Sequence, residues 1–289
     1  MKPAPFDYER PTSVDAALSL LAKRNGGAKI LAGGQSLVPM MNFRIAKPNV
    51  LVDINRLPGL DYCKIEATEL VIGALCRHAT LANSPLVADA CPLMHEAYHW
   101  VAHGPVRNRG TLCGNLCHAD PASEMPAVTQ VVEAVMVLRS SAGERRLPAS
   151  DFFQGIYATA ARENELLVEV RIPLSPKGQG WGFHEVSVRK GDFAIVAAAA
   201  TLRIAGGRIS QAAIGLSGVG PCATRIPAGE RRLLDKSADD ATIIEVAEIC
   251  AGAVEPNSDI HGSAEYRRDL VRTLVARALR DARDRCKST

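Results

Sequence analysis

A break at residues 175–182, Ser-Pro-Lys-Gly-Gln-Gly-Trp-Gly, constrains the fold more than any other feature of the sequence. Four glycine or proline residues there interrupt any hydrophobic period, and the pattern differs on the two sides. Before the break, short apolar strands mix with helices. Residues 12–25 read as a helix: Thr12 or Ser13 can cap it, Val14, Ala17, Leu18 and Leu21 share a face, and Gly26-Gly27 stop it. Residues 29–32 and 50–54 read as strands, 61–66 with 69–75 as a hairpin, and 93–103 as a helix. Residues 131–139 open a second hairpin that turns at 141–143, and 166–173 is an alternating strand. After the break, 183–190, 194–204 and 208–217 read as a three-stranded meander, followed by helices near 239–253 and 264–285. The chain is expected to be mixed α+β in two parts, about 1–175 and 180–289.

The composition excludes several classes. With 289 residues, 47% hydrophobic and 22% charged, the chain has the make-up of an ordered globular protein. No apolar run approaches the roughly 18–20 residues that span a bilayer, and no transmembrane segment is expected. The start, Met1 to Asp7, lacks the hydrophobic core of a signal peptide, which predicts a cytoplasmic location unless a partner carries the chain elsewhere. A net charge of +3 gives no nucleic-acid footprint. Nearly all of that charge falls in residues 263–289. Eight basic groups there (Arg267, Arg268, Arg272, Arg277, Arg280, Arg283, Arg285, Lys287) oppose four acidic ones (Glu265, Asp269, Asp281, Asp284). They form a solvated helix face or a docking face for an acidic partner. The eight cysteines are scattered without a C-x-x-C pair, so they are expected as thiols, and this chain is expected to hold no metal or iron–sulfur site.

Three motifs compete for the function. His95-Glu96-Ala97-Tyr98-His99 is an H-E-x-x-H string, which on a helix sets two imidazoles one turn apart with a glutamate as base, the basis of a zinc-hydrolase alternative. His103 extends the same face, but three ligands along one straight helix span ~12 Å and cannot converge on one ion. Gly218-Val219-Gly220-Pro221-Cys222-Ala223 fits a relaxed G-x-G-x-x-A, yet Pro221 and Pro227 argue for a tight turn rather than a helix start. The third is a pair of loops. Ala32-Gly33-Gly34-Gln35-Ser36 directly follows a strand, and Thr111-Leu112-Cys113-Gly114-Asn115 follows Arg107-Asn108-Arg109-Gly110. Glycines let backbone N–H groups converge on an anion with no Cβ in the way, and Ser36, Thr111 and Asn115 add side-chain donors. Each loop alone is also what a plain tight turn looks like. Leu37 to Met41 would supply an apolar wall beside the first loop or simply core, and Arg107 and Arg109 flank the second.

Four longer stretches carry a resemblance. "AGGQSLVPMMNFRIAKPNVLVDINRLPGL" (32–60), "VRNRGTLCGNLCHADPASEMPAV" (106–128), "FHEVSVRKGDFAIVAAAA" (183–200) and "SDIHGSAEYRRDL" (258–270) resemble the medium, FAD-binding subunits of molybdenum hydroxylases. These are the relatives of carbon monoxide dehydrogenase, quinoline 2-oxidoreductase and xanthine dehydrogenase. The resemblance covers essentially the whole chain. It implies a vanillyl-alcohol-oxidase-like (PCMH-type) FAD domain over 1–177, in subdomains of about 1–56 and 57–177. A C-terminal domain over 178–289 would hold a three-stranded sheet with a helical bundle.

The resemblance also implies the site. Lys29, Leu31, Ala32, Gly33, Gly34, Gln35, Ser36, Leu37 and Val38 would run along the FAD pyrophosphate, with Thr111, Cys113, Gly114 and Asn115 as the other half of the cradle. Ala102, Cys117, Ser123, Glu124 and Leu166 would line the cofactor, and Lys190 and Phe193 would approach its ring. Relatives usually have glycine where Cys113 stands, and a Cβ there crowds the anion or demands a negative φ. A tryptophan at Gly34 is expected to fill the pyrophosphate site. No catalytic acid, base or nucleophile is expected in this chain. The molybdenum-pterin cofactor and two [2Fe–2S] clusters would sit on large and small partner subunits, in an (αβγ)₂ heterohexamer. Electrons would leave those clusters through FAD to an external acceptor. The substrate would be oxidised on the molybdenum subunit, and "SDIHGS" leans toward an aromatic N-heterocycle. The alternative within enzymes is a stand-alone flavin oxidoreductase of the same fold.

Overall fold

The computed structural model describes residues 1–24 and 26–286. Asn25, the expected end of the first helix, and Lys287, the last of the eight basic groups, lie outside the described residues. The first layer is a parallel sheet ordered Asp7–Glu9, Val50–Asp53, Ala28–Leu31. Parallel neighbours need a crossover, and helix Val14–Arg24 supplies one, with Ala17, Leu18 and Leu21 buried as their spacing predicts.

The second sheet is antiparallel, in the order Cys63–Glu66, Glu69–Gly73, Leu166–Pro173, Val135–Ser140, Gly143–Pro148. Both expected hairpins are present. Strand Leu166–Pro173 lies between them, so the sheet closes over about a hundred residues of sequence. The second hairpin starts later than its apolar run suggests, because residues up to Val131 finish helix Glu124–Val131 and strand only begins at Val135. That helix is buried at every position, and a largely apolar buried helix and a buried strand cannot be told apart by periodicity.

The third sheet pairs Gly180–Ser187, Ala194–Ala205 and Arg208–Ser217 as the meander, and Thr224–Arg225 adds a two-residue edge. Residues Ala194 to Thr201 are buried without alternation, because helices cover both faces: Asp240–Gly252 and Ala264–Arg285 on one side, Glu124–Val131 on the other. The break at 175–182 is shorter than expected, since Gly180, Trp181 and Gly182 belong to the strand. The two glycines are packing residues. A Cβ on Gly180 would lie 1.7 Å from Ala282 O, and one on Gly182 would lie 2.2 Å from Ala278 O. Phe183, on the opposite face, is 2% exposed and joins the core of the N-terminal sheets. Burying such a ring contributes on the order of 1.5–3 kcal/mol to holding the halves together.

The expected helix over 93–103 is not continuous. Helix Pro92–Ala97 ends, turns follow, and a short helix runs Gly104–Arg107. Ala102 takes φ +48, which no α-helix tolerates, and Arg107 holds the carbonyls of Val101 and Ala102 at 2.9 and 2.7 Å. Helix Pro227–Leu233, unexpected from the sequence, caps the third sheet. Among the described residues, no helix is long and apolar enough to cross a membrane.

Candidate functional site

The glycine loops meet. A Cβ on Gly33 would lie 2.5 Å from Arg109 O and 2.6 Å from the Gly110 Cα, so the first loop touches the backbone leading into the second. Behind them, Asn55 donates through Nδ2 to Ala32 O at 2.7 Å and Leu31 O at 3.3 Å. Arg77 donates to Asn55 Oδ1 at 2.8 Å and also to Arg109 O. One amide and one guanidinium therefore stitch the loops together. The peptide N–H of His78 adds a bond to Gly110 O at 3.0 Å. His78 itself is buried, and burial with the nearby Arg107 pushes its imidazole down to about 4, so it is neutral at pH 7.

The front of the cradle is left open for a ligand. Among the described residues, the N–H groups of Gly33, Gly34, Gln35 and Ser36 find no protein acceptor. In the second loop Thr111 caps helix Leu112–His118 by accepting from Gly114 N at 3.1 Å, and Asn115 donates to Ser123 Oγ at 2.8 Å. Unpaired N–H donors converging without Cβ atoms suit anionic oxygens. Around them lies a cavity of about 1160 Å³, somewhat above the roughly 300–1,000 Å³ of ordinary ligand pockets. It has room for a dinucleotide.

The sequence-predicted residues gather there with three exceptions. Lys29, Ala32, Gly33, Gly34, Gln35, Ser36, Leu37, Ala102, Thr111, Cys113, Gly114, Asn115, Cys117, Ser123, Glu124, Leu166 and Phe193 line the cavity. Leu31, Val38 and Lys190 do not. Leu31 and Val38 pack against the position a Gly34 Cβ would take, at 3.1 and 3.3 Å. A tryptophan at Gly34 would therefore start toward them, and its harm would come first from φ +71 rather than from filling the site. The Lys190 ammonium lies 5.9 Å from the centroid of the Trp100 ring, a cation–π pairing that turns it from the cavity. Cys113 answers the concern about its Cβ: it is helical, without positive φ, and 3% exposed, so its thiol packs inward and the neighbouring Gly114 keeps the approach clear.

Sequence reasoning missed several wall residues. Tyr157 stacks on His118 with centroids 4.9 Å apart, and its hydroxyl donates to Asp120 Oδ2 at 3.3 Å. Buried Arg267 reaches Gly218 O at 2.9 Å and Asp259 at 2.7 Å, tying the last helix to the cavity rim. Gly218, φ +79, begins the turn between antiparallel strands Arg208–Ser217 and Thr224–Arg225 and does not start a helix. The "HAD" after the second loop and the arginine after "SAEY" were the available signals.

The histidine string lacks the geometry of a zinc site. His99 lies beyond the end of its helix, and its ring meets His95 edge-on at 5.5 Å. Glu96, the would-be base, accepts from Trp181 Nε1 at 2.9 Å and from Arg285. It is a clasp between the two parts of the chain. Among the described residues no three metal-ligating side chains gather.

Such a two-loop cradle, built between the two sheets of the N-terminal half and opening on a cavity that the C-terminal part also lines, suits a subunit that holds a large anionic cofactor. Residues 4–175 match the family described as the FAD binding domain in molybdopterin dehydrogenase, and 181–282 match the CO dehydrogenase flavoprotein C-terminal domain. The chain is 41% identical over 290 residues to the 6-hydroxypseudooxynicotine dehydrogenase complex subunit alpha of Paenarthrobacter nicotinovorans, covering 100% of this chain and 98% of that one. A solved carbon monoxide dehydrogenase from Hydrogenophaga pseudoflava superposes with a TM-score of 0.97 at 40% identity, covering 99% of this chain and 100% of its own. Quinoline 2-oxidoreductase from Pseudomonas putida 86 gives 0.93 at 39%, covering 98% and 99%. The chain belongs to the FAD-binding medium subunits of the molybdenum hydroxylases, and is a flavoprotein subunit of an oxidoreductase.

Proposed function

We propose that the chain passes electrons from partner [2Fe–2S] clusters through FAD to an external acceptor. The paired loops carry this reading: four N–H groups without protein partners at residues 33–36 face the same cavity as Thr111 to Asn115. In it, those loops hold the FAD pyrophosphate, Asn55 and Arg77 fix their spacing, and Ala102, Cys117, Ser123, Glu124, Leu166 and Phe193 wall the rest of the cofactor. When bound, FAD takes electrons singly and releases them in pairs. The chain's own residues bind, orient and shield; none is assigned an acid, base or nucleophile.

The proposal extends to the assembly. The substrate is oxidised on a large molybdenum-pterin subunit, a small subunit holds the two clusters, and the whole is an (αβγ)₂ hexamer in the cytoplasm. The domains divide at 177/178. Similarity to quinoline 2-oxidoreductase supports an aromatic N-heterocycle as substrate.

Purification of the tagged chain from its native cell tests this. Two co-purifying subunits, stoichiometric flavin, molybdenum and iron are expected. A yellow chain that emerges alone and reduces an acceptor without molybdenum would instead establish the stand-alone oxidoreductase.

A further inference from the structure

Tyr157 stands where the fold alone gives no reason for a tyrosine. Strands Phe153–Gly155 and Ala158–Thr159 form a small hairpin, paired at Gly155 and Ala158, and Ile156 and Tyr157 make its tip. Tyr157, third of the four turn residues, takes φ +54, and a turn with positive φ at that position favours glycine or asparagine. Among the described residues it is the one aromatic side chain whose backbone has positive φ, and a bulky residue there is strained. Packing does not offset the strain, since Ile156 and Tyr157 are 57% and 52% exposed. Both line the cavity. Glu185, by contrast, is buried with neither oxygen bonded among the described residues, yet it lies outside the lining.

The ring is held from one side. One face stacks on His118, with planes 26° from parallel. The hydroxyl donates to Asp120 Oδ2, and the peptide N–H donates to Ala119 O at 3.3 Å. Ala119 is itself left-handed, φ +52, where helix Leu112–His118 ends. With one face on His118 and half of the residue still exposed, the other face of Tyr157 is open to the cavity. Burial keeps the His118 imidazole below its ordinary value against the pull of Asp120, and burial raises the Tyr157 phenol, so both rings are neutral at pH 7. The stack presents a face, not a charge. Helix Leu112–His118 starts at the second loop and is only ~9 Å long, so one short rigid element joins the ring to the cradle. FAD carries a planar heteroaromatic ring on each side of its pyrophosphate, a sugar linker away, which is the order of distance that this helix spans.

We propose that Tyr157, backed by His118, is a stacking platform for a planar heteroaromatic ring of the bound dinucleotide, and so a specificity-determining residue of the cofactor site. The strained turn is what keeps the ring aimed at the cavity. Stacking on an aromatic side chain accepts any flat heterocycle, so the isoalloxazine and the adenine share the chemistry that the platform reads. The proposal rests on the cavity being the FAD site.

Calorimetric titration of the cofactor-free chain with FAD, FMN and ADP, beside thermal unfolding, tests it. Tyr157→Gly removes the ring and suits the backbone, so its melting temperature without ligand should equal or exceed that of the wild type. Its FAD affinity should nonetheless fall about fivefold or more, the usual loss when a stacking ring is removed. Tyr157→Phe keeps the ring and should keep the affinity. A matching loss for FMN and none for ADP puts the flavin ring on the platform; a matching loss for ADP and none for FMN puts the adenine there. If Gly33→Val weakens FAD binding and Tyr157→Gly does not, the platform is overturned and the cofactor site stands. A Tyr157→Phe chain that loses as much as Tyr157→Gly also overturns the platform, because the bond to Asp120 and not the ring would then be at work. FAD affinity unmoved by both Gly33→Val and Tyr157→Gly refutes the cofactor site itself.

Discussion

Residues 32–36 leave a parallel strand and turn with their own N–H groups spent on no protein acceptor, whereas residues 111–115 begin a helix that caps itself through Thr111. The supports differ in reach. Asn55 holds the first loop from 23 and 24 residues away in sequence, and Arg77 holds Asn55 in turn. The bonds of the second loop span three residues from Gly114 to Thr111 and eight from Asn115 to Ser123. One half of the cradle is shaped by tertiary structure, the other by local geometry. The first should therefore be the more fragile to distant substitutions, since in the second only the entering backbone at Arg109 and Gly110 is held from afar, by Arg77 and His78.

Substitutions can break this contrast in graded steps. Gly33→Val should have the largest effect. Its Cβ would strike backbone, which cannot yield as a side chain would, so flavin content measured by visible absorbance should fall to near zero, with stability lowered by about 1–3 kcal/mol or more. Asn55→Ala should come next. It leaves the half-buried carbonyl of Ala32 without its donor at a cost of about 1–3 kcal/mol, and FAD titration should show binding weakened about tenfold or more with the fold retained. Thr111→Val removes one cap worth about 1 kcal/mol, so roughly fivefold weaker FAD binding is expected, with Thr111→Ser restoring it. An Asn55→Ala effect smaller than that of Thr111→Val would reverse the comparison. Glu96→Gln should change least: its partly exposed pairing with Arg285 is worth about 1 kcal/mol or less in thermal unfolding, and flavin content should not move. A complete loss of activity in that variant would revive the zinc-hydrolase reading.

Stability against pH gives a separate check. Glu185 is held above its ordinary value, so the folded state loses stability as pH rises from about 4.5, where the unfolded carboxyl ionises, to about 9, where the folded one does. Glu185→Gln carries no such titration. Its melting temperature should gain on the wild type steadily across that range, and a constant gap would contradict the assignment.

The loops were legible in sequence because glycine, hydroxyl and amide residues directly after a strand announce themselves locally. Asn55 and Arg77 were not, because their partners are carbonyls brought near only when the parallel sheet closes. The one local sign was Asp53, whose Oδ1 accepts from Asn55 N at 2.9 Å, a turn that "DIN" could have suggested. The helix over 93–103 was overextended because apolar spacing continues past Ala97, while the positive φ of Ala102 has no signature in an alanine. At 180–182 the error was one of meaning. Glycine breaks a pattern equally well in a linker and under a helix, and only the packing of Ala278 and Ala282 separates the two.

That packing also governs movement. With carbonyls of the last helix seated where two Cβ atoms would otherwise stand, the helix cannot shear along strand Gly180–Ser187, because a slip of even one residue, about 1.5 Å, would drive side chains into the strand. The strand and the last helix are therefore locked together as one rigid unit.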